Sequence, residues 1–180
     1  MKRLFVFLMA TLVLLTGCSN NFKKRTTIDQ EKIPYIVTVN GNWRYNEEES
    51  VPENGVYLYT SMKGIFVMTY MSFDDPDYES LKGLDNSDWD DIMTFFLPAL
   101  GVKNAEQKED YHDLSNKYVI KRYYGDYTYN GATVEIALSA TLFKDGVMFC
   151  ICSPDITKSI YANEDTATIA RGDFEFEERE

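Results

Sequence analysis

The sequence predicts an α+β fold, an antiparallel meandering β-sheet packed against helices as a layered sandwich. Three observations carry this expectation. Five turn dipeptides, Asn40-Gly41, Asn54-Gly55, Lys63-Gly64, Asn130-Gly131 and Asp145-Gly146, interrupt apolar runs, as the tight turns of hairpins do. One segment, Trp89, Ile92, Met93, Phe96 and Leu100, repeats its apolar residues at helical spacing. Two of the turns, extended independently into strands, then place one common set of apolar residues on one sheet face.

The elements follow in order. Val56 to Ser61 and Ile65 to Phe73 form a hairpin about Lys63-Gly64, pairing Thr60 with Val67 and Tyr59 with Met68. Ser87-Asp88-Trp89-Asp90 reads as a capping box with Asp in place of Glu, so the amphipathic helix begins there. Asp88, Asp90 and Asp91 suit its positive end, while Pro98 and Gly101 mark its finish.

Asn130-Gly131 as a two-residue loop pairs Tyr127 with Val134, Tyr123 with Leu138 and Val119 with Leu142. Asp145-Gly146 treated likewise pairs Phe143 with Met148, Leu142 with Phe149 and Ala140 with Ile151. Leu142, Ala140, Phe149 and Ile151 thereby share a face. The same register opposes Asp126 to Glu135, an unfavourable like-charge pair, and predicts a bulge at Gly125 to re-aim Asp126. Asn163 caps a short helix bearing Ala167, Ile169 and Ala170 that stops near Gly172. Phe174-Glu175-Phe176 then alternates like a strand, with an irregular tail as the alternative.

The amino-terminal residues carry a different message. Met1-Lys2-Arg3 is a short basic start, followed by about a dozen apolar residues, where a spanning helix needs roughly 20. That pattern is a secretory signal peptide. Its end, Leu15-Thr16-Gly17-Cys18, resembles a bacterial lipobox. The resemblance implies diacylglycerol on the Cys18 thiol, cleavage before Cys18, and an extracytoplasmic, lipid-anchored protein held at the cell membrane by its acyl chains. Two or three chains make a stable anchor where one would be marginal. The expected organisation is a signal peptide over 1–17, a polar tether over 18–31 and a single domain over 32–180.

Loss of residues 1–17 removes Lys2 and Arg3, leaving 16 Lys and Arg against 29 Asp and Glu, a net charge of −13. Such an acidic surface argues against nucleic acid as a partner. The one basic cluster, Lys23-Lys24-Arg25, lies in the tether, where it reads either as contact with anionic headgroups or as an ordinary solvated linker.

Few groups are poised for chemistry. The chain has no G-x-S-x-G, Walker A, G-x-G-x-x-G or H-E-x-x-H motif and no four-cysteine metal pattern. No catalytic residue, metal or cofactor is therefore assigned, and the chain is expected not to be an enzyme. The lone histidine, His112, beside Asp113, is read as an exposed loop residue, and the acidic run Asp74, Asp75, Asp77 and Glu79 as a solvated connection lacking an EF-hand's glycine and spacing. In "VMFCICS" every position is apolar or small, so both faces of that strand should be covered. Met148, Cys150 and Cys152 share one face; a soft-metal site and plain buried thiols are the two accounts of it.

Tyrosine is the notable excess. Tyr123, Tyr127 and Tyr129 fall on the apolar face, whereas Tyr118 and Tyr124 fall on the other beside Arg122. If no helix covers that second face, Tyr118, Tyr124 and Arg122 form a binding surface; half-covered ordinary aromatics are the alternative.

The hairpin "GVYLYTSMKGIFVMTY", the amphipathic helix, three long strands and "TIARGDFEF" together resemble the PsbP-like architecture over Gly55 to Phe176. Proteins of that family are mostly non-enzymatic and dock on partner proteins or membrane assemblies, and many bacterial members are lipoproteins. The resemblance implies an accessory or binding protein that docks on another cell-envelope component, and it carries over no site residue. A small-ligand or metal-binding lipoprotein and an envelope enzyme with an unrecognised site are the competing classes.

Overall fold

The computed structural model describes residues 25–112, 117–129, 131–154 and 164–179. The expected signal peptide, Cys18, Asn130, the Asn163 cap and the His112 side chain lie outside the described residues. Ten strands and two α-helices, with short 3-10 turns at Pro52–Asn54 and Glu79–Leu81, make up the described elements: β1 Arg25–Ile28, β2 Tyr35–Asn40, β3 Arg44–Tyr45, β4 Val56–Ser61, β5 Gly64–Ser72, α1 Asn86–Ala99, β6 Val102–His112, β7 Val119–Tyr129, β8 Ala132–Leu142, β9 Gly146–Pro154, α2 Glu164–Arg171 and β10 Phe174–Glu178.

Seven strands form one antiparallel sheet in the order β3-β4-β5-β9-β8-β7-β6, and three form a second in the order β1-β2-β10. β9 lies between β5 and β8, with both faces of the sheet covered, so every residue of "GVMFCICSP" is buried. Helix α1 covers one face through Trp89, Met93 and Leu97, set against Phe149, Leu138, Ala140 and Tyr123. The small sheet covers the other, laying Tyr35, Val37, Val39 and Phe174 over Tyr57, Phe66, Met68, Met148 and Cys150. The tail at Phe174 is thus a strand, paired with β2 and turning Phe174 and Phe176 toward the large sheet as its alternation implied. The result is the expected antiparallel α+β sandwich.

The strand pairing shows where turn rules hold. About Gly131 all three anticipated pairs are present: Tyr127 with Val134, Tyr123 with Leu138, and Val119 with Leu142. At the other two hairpins the register is displaced by two residues. Thr141 pairs with Met148 and Ala140 with Phe149, because the last pair of the hairpin is Leu142 with Val147 and Phe143 N–H donates to Gly146 O at 2.9 Å across the turn. Tyr59 pairs with Phe66 and Leu58 with Val67, because Met62-Lys63 makes the turn and Gly64 opens β5. Gly64 is needed in the strand, since a Cβ there would stand 2.5 Å from Ser153 O. Strand side chains alternate with period two, so a slip of two leaves every residue on its intended face.

Four other expectations are corrected. Asn40-Gly41 does not close a hairpin: β2 ends there and the chain crosses to the large sheet at β3. The helix begins two residues early, because Asp85-Asn86-Ser87-Asp88 is itself a capping box. Asp85 Oδ1 accepts from Ser87 N–H at 2.7 Å and Asp88 N–H at 3.0 Å, while Asp88 Oδ2 accepts from Asp85 N–H at 2.9 Å. Gly125 carries no bulge against β8; the irregularity sits in the facing strand β6 between Lys103 and Glu106, where Asn104 has φ of 51°. Asp126 does stand opposite Glu135, and Asn104 Nδ2 donates to Asp126 Oδ2 at 2.7 Å, giving that carboxylate a partner within the bulge. Finally, Arg25–Ile28 belongs to the sheet as β1, which shortens the expected tether.

Candidate functional site

The tyrosine face is closed. Helix α2 lies over Tyr124, which is buried against Ala137 and Ala170 and donates its hydroxyl to Ala170 O at 3.1 Å. The rings of Tyr118 and Phe176 meet edge-on at 4.9 Å, and Tyr118 also contacts Phe143. Arg122 is half-buried on the same strand. The condition for a binding surface at Tyr118, Tyr124 and Arg122, an uncovered face, is therefore not met. Of the residues expected on the apolar face, Tyr123 is buried and Tyr127 half-buried there.

The cysteine face is equally sealed. Cys150 and Cys152 are free and buried beneath the small sheet and α2, with the Cys152 thiol directed at Thr166 O at 3.8 Å. Burial drives both thiols far above the ordinary range, with the neighbouring Cys150 adding to the effect at Cys152 and Ser139 opposing it at Cys150. Both thiols are therefore held in the protonated form, with no path to solvent through the packed core. The acidic run after β5 faces solvent: Asp74 pairs with Lys82 at 3.1 Å, and Asp75 accepts from Asp77 N–H in a local turn.

Charge converges instead beneath α1. Lys121 of β7 is fully buried, donating to Asp90 Oδ1 of α1 at 2.7 Å and to Asp110 Oδ2 of β6 at 2.9 Å. Asp90 Oδ1 also accepts from Gln107 Nε2 at 2.8 Å and from Tyr123 OH at 3.3 Å. Burial pushes the Asp90 carboxyl upward, but the bonds from Lys121, Gln107 and Tyr123 and the Lys121 charge outweigh it and hold the group below the usual carboxylate range. Burial alone would lower Lys121; its two carboxylate partners reverse the sign and raise it. Asp110 Oδ1 is buried without a hydrogen-bond partner. Sequence reasoning missed this cluster because Asp90 read as a helix-start charge and nothing local marked Asp110. Lys121 alone signalled it, a lysine on the strand face that Tyr123 shares with the apolar core.

Two concave surfaces are formed by described residues. One, of about 440 Å³, lies between the start of α1 and the β8–β9 turn, lined by Phe73, Leu81, Leu84, Trp89, Leu142 and Lys144 among others. The other, about 590 Å³, is acidic, with Asp29, Glu31, Glu177 and Glu178 around Arg179. On the outer side of α1, Phe95 is 83% exposed, next to exposed Pro98 and Ala99 and one turn from Asp91. Among the described residues no group of three or more His, Cys, Asp or Glu is placed to hold a metal, and no helix is long and apolar enough to cross a membrane.

No protein-family model matches the sequence, and a search of curated proteins returns no match. Solved structures do resemble it. The Ran-binding protein Mog1p of Saccharomyces cerevisiae is 10% identical, with 74% of this chain and 78% of that one aligned at a TM-score of 0.49. LpqN, described as involved in cell envelope biogenesis of Mycobacterium tuberculosis, is 10% identical, with 87% and 92% aligned at 0.43. Cyanobacterial PsbP (CyanoP) from Synechocystis sp. PCC 6803 is 12% identical, with 91% of this chain and 99% of that one aligned at 0.53. At that identity the likeness concerns architecture, and on it this α+β sandwich has the PsbP-like fold.

Proposed function

We propose that the protein is a lipid-anchored, extracytoplasmic, non-enzymatic accessory protein that docks on another component of the cell envelope. The observation that carries this reading is Leu15-Thr16-Gly17-Cys18 directly after a short basic start and an apolar run too short to span a bilayer. Two structural features support it. Arg25 is already paired in β1, so seven residue steps separate it from Cys18, a reach of at most about 25 Å. The acyl chains would therefore hold the folded domain close to the bilayer. The exposed Phe95, beside Pro98 and Ala99 and one turn from Asp91, supplies an aromatic side chain free to enter an interface.

The test compares the intact chain with Cys18→Ala in its native host. Palmitate labelling and membrane fractionation should follow the intact chain and be lost in the variant. Crosslinking in intact cells should capture a reproducible partner with the anchored form, and Phe95→Asp should abolish that capture without lowering Tm. Equal labelling of both chains would remove the anchor from the reading, and no reproducible partner for the lipidated chain would remove the docking role.

A further inference from the structure

We propose that Lys121, clamped between Asp90 and Asp110, is an acid-released latch that holds α1 over the sheet, so that acidification frees the helix before the two sheets separate. The geometry is that of a single buried cation joining a helix to two strands. Lys121 is wholly removed from solvent, and its two carboxylate partners come from α1 and β6. The described groups facing it are Asp90 from α1, Asp110 and Gln107 from β6, and Tyr123 from β7, while β8 opposes it with Ala140. Lys121 keeps Asp110 of the sheet as its charged partner when Asp90 is protonated, so acid removes the one carboxylate that ties the buried ammonium to the helix.

The sign follows from Asp90. Its carboxyl is held below its ordinary value in the fold, so its stabilising contribution is complete above the unfolded value, about 3.9, and is lost as pH falls through the lower folded value. Release therefore belongs below about pH 4.

Two features make α1 able to move alone. Glycines with left-handed backbone stand on both sides of it, Gly83 at φ of 85° and Gly101 at φ of 84°, and Pro98 removes a backbone donor from its last turn. The opposite face of the large sheet is closed chiefly by apolar and aromatic packing, including Tyr35 stacked on Phe143 and Trp43 edge-on to Phe66, with one carboxylate, Asp145, accepting from Tyr35 OH at 2.8 Å.

The two tryptophans report the two sides. Trp89, next to Asp90, is buried under α1, and Trp43 is buried against Phe66 on the far side. The full-length protein carrying Trp43→Phe, or in parallel Trp89→Phe, is titrated from pH 7 to pH 3 with acrylamide as quencher. The latch requires quenching of Trp89 to rise by roughly threefold or more while that of Trp43 stays flat, the signature of local opening. In the neutral variant Asp90→Asn with Asp110→Asn and Lys121→Met, the rise at Trp89 should vanish. Should that variant fail to fold, fluorine NMR of the unsubstituted chain labelled with 5-fluorotryptophan reads the same contrast, one resonance moving before the other. Simultaneous change at both tryptophans, an unchanged Trp89, or an acid response persisting in the folded neutral variant would each overturn the proposal.

Discussion

At the scale of the residue, period two decides which readings survive. Cys150 and Cys152 are two apart in a central strand, so both side chains enter the same core and burial makes them alike. Folded protein carrying Cys18→Ala should give no fast reaction with an aromatic disulfide reagent at pH 8, and both thiols should react once urea exposes them. Rapid native labelling would contradict the burial that raises their pKa. The same periodicity explains why faces were legible in the sequence when registers were not. Phe149 and Ile151 lie on the α1 side as the alternation required, although the loop before them is longer than Asp145-Gly146 alone implies. Lys121 was legible only as an oddity, because its partners lie 31 and 11 residues away and no local pattern joins them.

At the scale of the element, close approach between strands explains what turn rules leave out. Gly125 read as a bulge site, whereas it is a flat strand position that makes room for the bulge in β6. A Cβ at Gly125 would lie 2.5 Å from Val102 Cγ1 and 2.9 Å from Lys103 O. Gly125→Ala should therefore cost about 1–3 kcal/mol by overpacking, measured as a lower urea midpoint at unchanged slope. A neutral effect would mean that Asn104 and Ala105 yield without loss. Helix α1 was visible from its apolar spacing, but its start was not: Ser87 and Asp85 both suit an N-cap, and only the reciprocal bond from Asp88 decides between them.

At the scale of the whole molecule, the small sheet is the part the sequence concealed. Its three strands are drawn from Arg25–Ile28, Tyr35–Asn40 and Phe174–Glu178, so the pairing of β2 with β10 joins segments more than 130 residues apart. No turn dipeptide encodes such a contact, and β1 lay within a stretch that reads as polar tether. Phe174 is buried in the shared core, and deletion of residues 174–180 should remove about 3 kcal/mol or more and expose dye-binding apolar surface on the large sheet. A truncated chain with unchanged Tm would show that β1 and β2 close the core without their third strand.

The same pairing has a consequence for biogenesis. A ribosome delivers β2 early and β10 late, so β2 must wait with one edge unsatisfied while nearly all of the remaining chain is made. Contacts of such long sequence separation form slowly, and the delay keeps the chain incompletely folded through synthesis. Were the chain exported as proposed above, that slowness would be an asset, since the small sheet would close only after passage through a translocation channel in extended form.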